Sequence, residues 1–471
     1  MAFLIGGANS EVAGYNIENS LRFDGDSYQS RDPSETGITI KGNFSAWVKF
    51  ATSNTEVALF GGFDSSGAND NDGYMVFKRT ADGNLQFEGG DNVYLETTAL
   101  FRDTSAWYHI VLAIDSSNAT ANNKQRIYVN GAEITAFDTR NNLTNLQDLP
   151  MNTTAGNDDA LLIGCDEDTG GKGLFFNGYM SEFYWIDQNQ YAASDFGEYN
   201  SDGIWVPKEF AGSFGVNGVF LQFKETGTSA NASGMGADTG GSTLHFTVTN
   251  LTAVDVCVDT PTNNFATMSP VAKDPNITLT EGNLKFTSGG SGGVVGTQAV
   301  ANGKWYWEVK AVDTGADCQI GIWDTNFSSG FPLNQYVGQG ESWGYINFNG
   351  KPVHNGSQGG AITTIGDDDI VMMALDMDNL KMWFGINGTW LSSGDPAAGS
   401  GEQHSGITDS FMTPAIASFS GTSGYDWQFN FGNPIYANSS SQADDNGYGD
   451  FEYDVPTGFY SLCTKNLAEF G

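Results

Sequence analysis

Residues 366–391 read GDDDIVMMALDMDNLKMWFGINGTWL. Two short apolar runs are joined by the acidic turn Asp376-Met377-Asp378-Asn379, and a second turn at Asn387-Gly388 leads into Thr389-Trp390-Leu391. Apolar runs this short, closed on both sides by turn-formers, read as strands of an antiparallel hairpin. The Asn-Gly pair suits a two-residue hairpin turn, in which both central positions take positive φ. The stretch builds sheet and carries no catalytic pattern.

Working outward, residues 303–310 read GKWYWEVK and residues 456–467 read PTGFYSLCTKNL. Together with 366–391 these segments resemble the SPRY domain, and the resemblance implies a β-sandwich that presents loops to a partner. A second β module precedes it. In FSAWVKF, residues 44–50, Phe44, Ala46, Val48 and Phe50 fall on one face and Ser45, Trp47 and Lys49 on the other, as in a strand with one solvated face. WYHIVLAID at 107–115 and QRIYVNGAEI at 125–134 follow, with Asn130-Gly131 placed for a hairpin turn. The segments SLRFDGDSY, AWYHIVLAID, IYVNG and FNGYMSEFYWI resemble a laminin G-like, concanavalin A-type jelly roll over residues 21–187. The expected fold is all-β, two tandem β-sandwich (jelly-roll) modules joined by a Gly/Ser-rich linker. The expected divisions are an N-terminal arm at 1–20, a laminin G-like sandwich at 21–225, a linker and connector at 226–276, and a SPRY-like sandwich at 277–471. The linker reading rests on TGTSANASGMGADTGGST at 226–243, which has almost no large apolar residue. Pro261-Thr262-Asn263-Asn264 reads as a turn near the boundary.

The order of these modules, with the junctions DFGEYNSDGIWVPKEFAGSFGVNGVFLQF and VDTPTNNFATMSP, resembles tail-fibre-like and other virion proteins of bacteriophages, marine ones in particular. The resemblance implies adhesion or virion architecture, with other virion proteins and host-surface glycan or protein as partners. Location in the virion follows, with synthesis in the host cytoplasm and release by lysis.

Composition agrees with a multidomain β chain. At 471 residues, single cores have stopped growing, and two or three domains are expected. Aromatics make up 13% and glycines number 61, which suits closely punctuated strands. One short helix-like patch appears, at 192–199. The net charge of −36 repels phosphate backbones and anionic membrane surfaces, and no basic run offsets it, so neither nucleic acid nor membrane insertion is expected. Solubility and adaptation to salty water account for such acidity. MAFLIGGANSE lacks the basic region and long apolar core of a secretory signal. Cys165, Cys257, Cys318 and Cys463 define no disulfide framework and are expected to be buried, reduced and inert.

No Gly-x-Ser-x-Gly elbow or phosphate-binding loop occurs, and His109, His245, His354 and His404 show no zinc spacing. Asp450, Glu452 and Asp454 would share a face if DFEYD were a strand, and a solvated acidic edge explains them better than a glycosidase dyad. No catalytic residue is assigned and no cofactor is required. Calcium is the one metal considered, since laminin G-like domains commonly bind it and hard oxygen ligands on loops suit it. Asp64, Asp70 and Asp72 form one candidate set and Asp166, Glu167 and Asp168 another, while Asp367-Asp368-Asp369 reads as turn chemistry. Ligand contacts are expected on SPRY-like loops where aromatic and amide side chains mix, as sugars require: Asn334, Gln335, Tyr336, Trp343, Asn347, Phe348, Asn349 and Lys351. Trp305, Trp307 and Trp383 read as packing residues. Phe3, Leu4 and Ile5 form a candidate virion-anchoring arm, or a strand packed on the chain itself.

The leading reading is a non-enzymatic fibre or spike component of a phage particle that binds host-surface glycan or protein. The alternative is a capsid or tail decoration protein with a purely architectural role, and a glycoside hydrolase ranks third. A homo-oligomer is expected, a trimer if the protein is a fibre, although no heptads fix the number.

Overall fold

A computed structural model of the chain describes residues 4–5, 14–33, 35–63, 73–90, 92–153, 161–168, 171–241, 244–315, 317–326, 336–419 and 425–471. The chain divides into two units, Val12–Thr262 and Asn263–Gly471, the second joined by Met1–Glu11. The described helices are one α-helical segment, Thr464–Phe470, and single 3-10 turns, and no described helix is long and apolar enough to cross a membrane.

In the first unit one sheet runs Ala132–Glu133, Gln125–Val129, Tyr108–Asp115, Lys41–Phe50, Asn177–Ile186, Ser20–Asp24, Val256–Cys257, with Val219–Leu221 also paired to Asn177–Ile186. The other runs Phe137–Arg140, Asn92–Leu100, Asn84–Gly89, Tyr74–Arg79, Val57–Phe63, Leu161–Ile163, Tyr28–Arg31, Thr247–Thr249. Phe44, Val48 and Phe50 project from the first sheet into the core, where the Phe44 ring lies 5.6 Å from Phe60 and Phe60 lies 4.8 Å from Trp185. Each such side chain contributes about 1.5 to 3 kcal/mol by leaving water.

The opposite face of Lys41–Phe50, expected to be solvated, is buried. Ser45, Trp47 and Lys49 are covered because the chain returns over that face. His109 Nε2–H donates to Ser45 Oγ at 3.0 Å while its Nδ1 accepts the Trp205 indole N–H at 3.1 Å. Indole only donates, so Trp205 fixes the imidazole tautomer. Burial pushes His109 down to about 3 and keeps it neutral, in line with a structural role. Lys49 Nζ lies 2.8 Å from Asp259 Oδ2, with both side chains almost wholly buried, and Trp107 Nε1–H donates to Asp259 Oδ1 at 3.2 Å.

The Gly/Ser-rich stretch is not a linker among its described residues. Met235 is 1% exposed and sits in the first core, and Gln29 Nε2 donates to its carbonyl. Thr247–Thr249 and Val256–Cys257 then complete the two sheets as edge strands. One apolar anchor with backbone bonds on both sides holds a segment whose composition resembles a tether.

In the second unit one sheet runs Met268–Lys273, Gly292–Gly296, Met412–Ser418, Cys318–Asp324, Ser342–Ile346, Lys351–His354, Ser357–Gln358. The other runs Ile277–Thr280, Lys285–Ser288, Tyr425–Asn430, Lys304–Asp313, Asp369–Asp376, Lys381–Ile386, Thr389–Trp390. The hairpin read from 366–391 is present, with Asn387 and Gly388 at φ 49° and 80°. Trp305 and Trp307 enter the core between the sheets, and Trp383 packs with Tyr306, Phe451 and Phe459 on the outer face. DFEYD is not a strand; it crosses that outer face. The buried Glu308 carboxylate accepts the backbone N–H groups of Glu452 and Tyr453, each at 2.9 Å, which turns the acids Asp450 and Glu452 toward Asn438 and Ser439. Leu4–Ile5 pairs in parallel with Gln298–Ala299, so the candidate arm engages its own chain there; Phe3 lies outside the described residues. All four cysteines are buried and none is in a disulfide, as the sequence predicts.

Candidate functional site

The strand Asn177–Ile186 carries an irregularity with chemical content. Its register against Lys41–Phe50 slips between Ser181 and Tyr184, and Glu182 within the slip has φ 48°. A bulge re-aims side chains. Met180, Phe183 and Trp185 therefore all reach the core, while Glu182 and Tyr184 leave by the outer face.

Glu182 is 5% exposed and its carboxyl has defined partners. Tyr15 Oη–H and Tyr184 Oη–H both donate to Oε2, at 3.0 and 2.9 Å, and Gln222 bonds the same carboxyl. Burial pushes Glu182 up to about 7, against the pull of these bonds, and burial with the nearby carboxylate raises both tyrosines. The three groups form a hydrogen-bonded network in which burial raises every pKa.

Over this network lies the junction segment. Val219–Leu221 pairs with Asn177–Ile186 so that Phe220 faces Tyr184, and the rings stack at 4.3 Å and 6°. Phe214 lies nearly parallel to Tyr184 at 6.4 Å, and Phe210 crosses Phe214 at 67° and 5.2 Å. The turn between them is pinned by Asp187, whose Oδ2 accepts Asn217 N–H at 2.9 Å. Gly215 in that turn has φ 88°, and a Cβ there would meet Asp187 Oδ1 at 1.4 Å. On the other side, Asp238 bridges Leu221 and its Oδ1 accepts Phe220 N–H at 2.9 Å, which sets Thr239 and Gly240 beside Phe220.

These elements enclose an open cavity of about 380 Å³. Its apolar wall is Phe210, Phe214 and Phe220; its polar wall is Tyr15, Tyr184, Gln222 and the exposed carboxylate of Glu209; Thr239 and Gly240 complete the rim. No Lys or Arg lines it among the described residues. Lys208 lines an adjoining depression that shares Glu209 and Phe210 with the cavity, and it donates to Ser194 O at 3.1 Å. Aromatic faces beside hydrogen-bonding groups suit a ring with an apolar face and a polar edge.

The residues singled out from sequence for ligand contact are dispersed. Asn334 and Gln335 lie outside the described residues. Tyr336 packs on Phe419 at 4.0 Å. Trp343 is 2% exposed and stacks on His354 at 4.4 Å, so it is a core residue and not a contact. Asn347 is buried, accepting Cys318 N–H at 2.7 Å and donating to Thr314 O, which ties two loops together. Both were placed on loops because polar and aromatic composition does not distinguish a loop from a strand end with internal partners. Phe348 is 52% exposed, and Asn349 and Lys351 are half-buried near it.

Of the candidate calcium ligands, Asp64, Asp70 and Asp72 lie outside the described residues. Asp166–Asp168 is a strand paired with Gly171–Gly173, not an open loop. Glu167 bonds Lys172 at 2.7 Å, and burial lifts Asp166 to about 6. No three described His, Cys, Asp or Glu side chains converge as a metal site. Asp367 and Asp369 accept bonds from Thr314, Gly366 and Asn387, as turn chemistry requires.

Sequence reasoning missed Glu182, Tyr184 and the cavity. One signal was available: in YMSEFYWI the core residues Met180 and Phe183 are three apart and Phe183 and Trp185 two apart, a phase slip at a lone carboxylate.

Comparison with known proteins bears on both units. The family model for laminin G-like domains of the concanavalin A-like lectin/glucanases superfamily matches residues 25–190, and the SPRY domain model matches residues 304–433. Among solved structures, the chain is similar to the SPRY domain of human HERC1, at 16% identity over 36% of this chain and 99% of that one, with a TM-score of 0.30. It is also similar to the TRIM65 PSpry domain, at 17% identity over 35% of this chain and 92% of that one, with a TM-score of 0.27. No curated protein matches the chain.

Proposed function

We propose that this chain, which carries a laminin G-like domain followed by a SPRY domain, is a non-enzymatic fibre or spike component of a bacteriophage virion that binds host-surface glycan or protein. The observation that carries the binding reading is the aromatic-walled cavity, because its wall is the junction segment, the part of the sequence in which the phage resemblance is concentrated. Beyond packing on Tyr184 and Phe196, Phe210, Phe214 and Phe220 stand with the exposed Glu209 around an open space. The virion assignment rests on the resemblance of module order and junctions. Other virion proteins and further copies of the chain are its assembly partners in this reading.

The architectural alternative draws on a different observation, the exposed Phe348 and Phe419 at 52% and 43%, which suit contacts with neighbouring subunits. Cryo-electron microscopy of the particle that carries the protein separates the two. Sandwiches projecting outward on a thin attachment support adhesion. Sandwiches lying flat with the cavity mouth sealed by neighbours sink it and leave a decoration protein.

A further inference from the structure

We infer that the cavity of the first unit holds a neutral, hydroxyl-rich pyranose ring and rejects saccharides bearing carboxylate or sulfate. The inference rests on the reading that the chain binds host-surface glycan, and it names the site and the sugar class.

Three features of the cavity carry it. The first is shape. At about 380 Å³, with Phe210, Phe214 and Phe220 along one side, the space is within the range of small-ligand pockets and offers ring faces to the C–H face of a sugar. All three phenylalanines are only half-buried, although Tyr184 covers one face of Phe220 and Phe196 one face of Phe210.

The second is the direction of the hydrogen bonds. Tyr15 and Tyr184 each spend their one hydroxyl proton on Glu182 Oε2 and so turn oxygen lone pairs outward. The exposed Glu209 carboxylate adds acceptors. Such a wall is rich in acceptors and suits a ligand with many O–H donors.

The third is charge. The lining holds Glu209 and no described cation, above a second carboxyl at Glu182, on a chain of net charge −36. An anionic sugar would enter against this field with no Arg or Lys to pair it. A quaternary ammonium ion would meet the charge but carries no N–H or O–H to give the acceptor wall. The hydroxyl-rich neutral ring satisfies both.

The test uses the full-length chain on an array of neutral oligosaccharides (glucose-, galactose-, mannose- and N-acetylglucosamine-terminated) beside uronate-, sialate- and sulfate-bearing ones. Positive spots are followed by calorimetry, and whole-cell attachment is measured in parallel. Glu209 is exposed, so Glu209→Gln and Glu209→Lys should leave the fold intact, and Gln222→Ala probes a second group of the polar wall. Expected is binding of neutral saccharides, weakened about tenfold or more by Glu209→Gln and by Gln222→Ala, the loss typical of a bond to a charged or buried group. Glu209→Lys should shift preference toward uronate-bearing chains. Saccharide binding that none of these variants changes overturns the cavity assignment and leaves adhesion standing. A preference of the unaltered chain for anionic sugars overturns the charge argument. Cell attachment with no saccharide binding overturns the inference alone, whereas absence of any attachment overturns the adhesin reading with it.

Discussion

Glu182 shows how one residue acquires an unusual state from its surroundings. Its carboxyl titrates near 7, not the ordinary 4.5, because burial penalises the anion more than two phenols and an amide favour it. A raised folded-state pKa contributes stability fully below about 4.5 that is lost as pH rises through about 7. The amount is on the order of 3 kcal/mol. Urea unfolding from pH 5 to pH 8 should therefore show the first unit weakening with pH, and Glu182→Gln should flatten the slope; an unchanged slope refutes the assignment. The Lys49–Asp259 pair makes the contrasting case, two opposite charges 2.8 Å apart with both side chains almost wholly buried. Removing one partner strands the other in the interior, and Asp259→Ala should cost about 3 to 5 kcal/mol, read as a lower urea midpoint. A cost below about 1 kcal/mol would mean that water reaches Lys49.

At the scale of elements, local chemistry was legible wherever it depends on near neighbours. Asn130-Gly131 and Asn387-Gly388 form turns with positive φ at both positions, and alternation in FSAWVKF placed Phe44, Val48 and Phe50 inward. Alternation could not say that the other face would be covered, because its cover, Trp205 and the segment around Asp259, lies more than 150 residues away. The helix Thr464–Phe470 was missed since seven residues are too few to display a helical period. The stretch 226–243 was misread because low apolar content was taken as freedom, whereas among its described residues Met235 enters the core and backbone bonds tie the chain on both sides of it. Met235→Ala tests this directly: a core residue predicts a loss of about 2 to 5 kcal/mol in the unfolding of the first unit, and a tether predicts none. The same distinction explains Trp343 and Asn347, whose loop-like composition concealed internal partners.

At the scale of the whole molecule, 56 acidic residues against 20 basic ones make self-repulsion a general term. Raising ionic strength from 0.01 to 0.15 M shortens the screening length from about 30 to about 8 Å. The melting temperature should rise by a few degrees over that range, and a fall would mean that exposed ion pairs such as Lys310–Asp368 outweigh the repulsion. Each unit has its own core, so two unfolding transitions are expected in calorimetry. The amino-acid sequence by itself determined the all-β class, the order of the two sandwiches, the hairpin turns and the absence of a disulfide framework, since these follow from period-two patterning and from the spacing of residues along the chain. Tertiary structure alone decided that the supposed linker is part of the first sandwich, that Glu182 is buried beneath Tyr15 and Tyr184, and that the junction segment encloses a cavity. Those outcomes depend on which distant side chains meet, and burial, the force that selects them, acts on space and leaves no mark in local sequence.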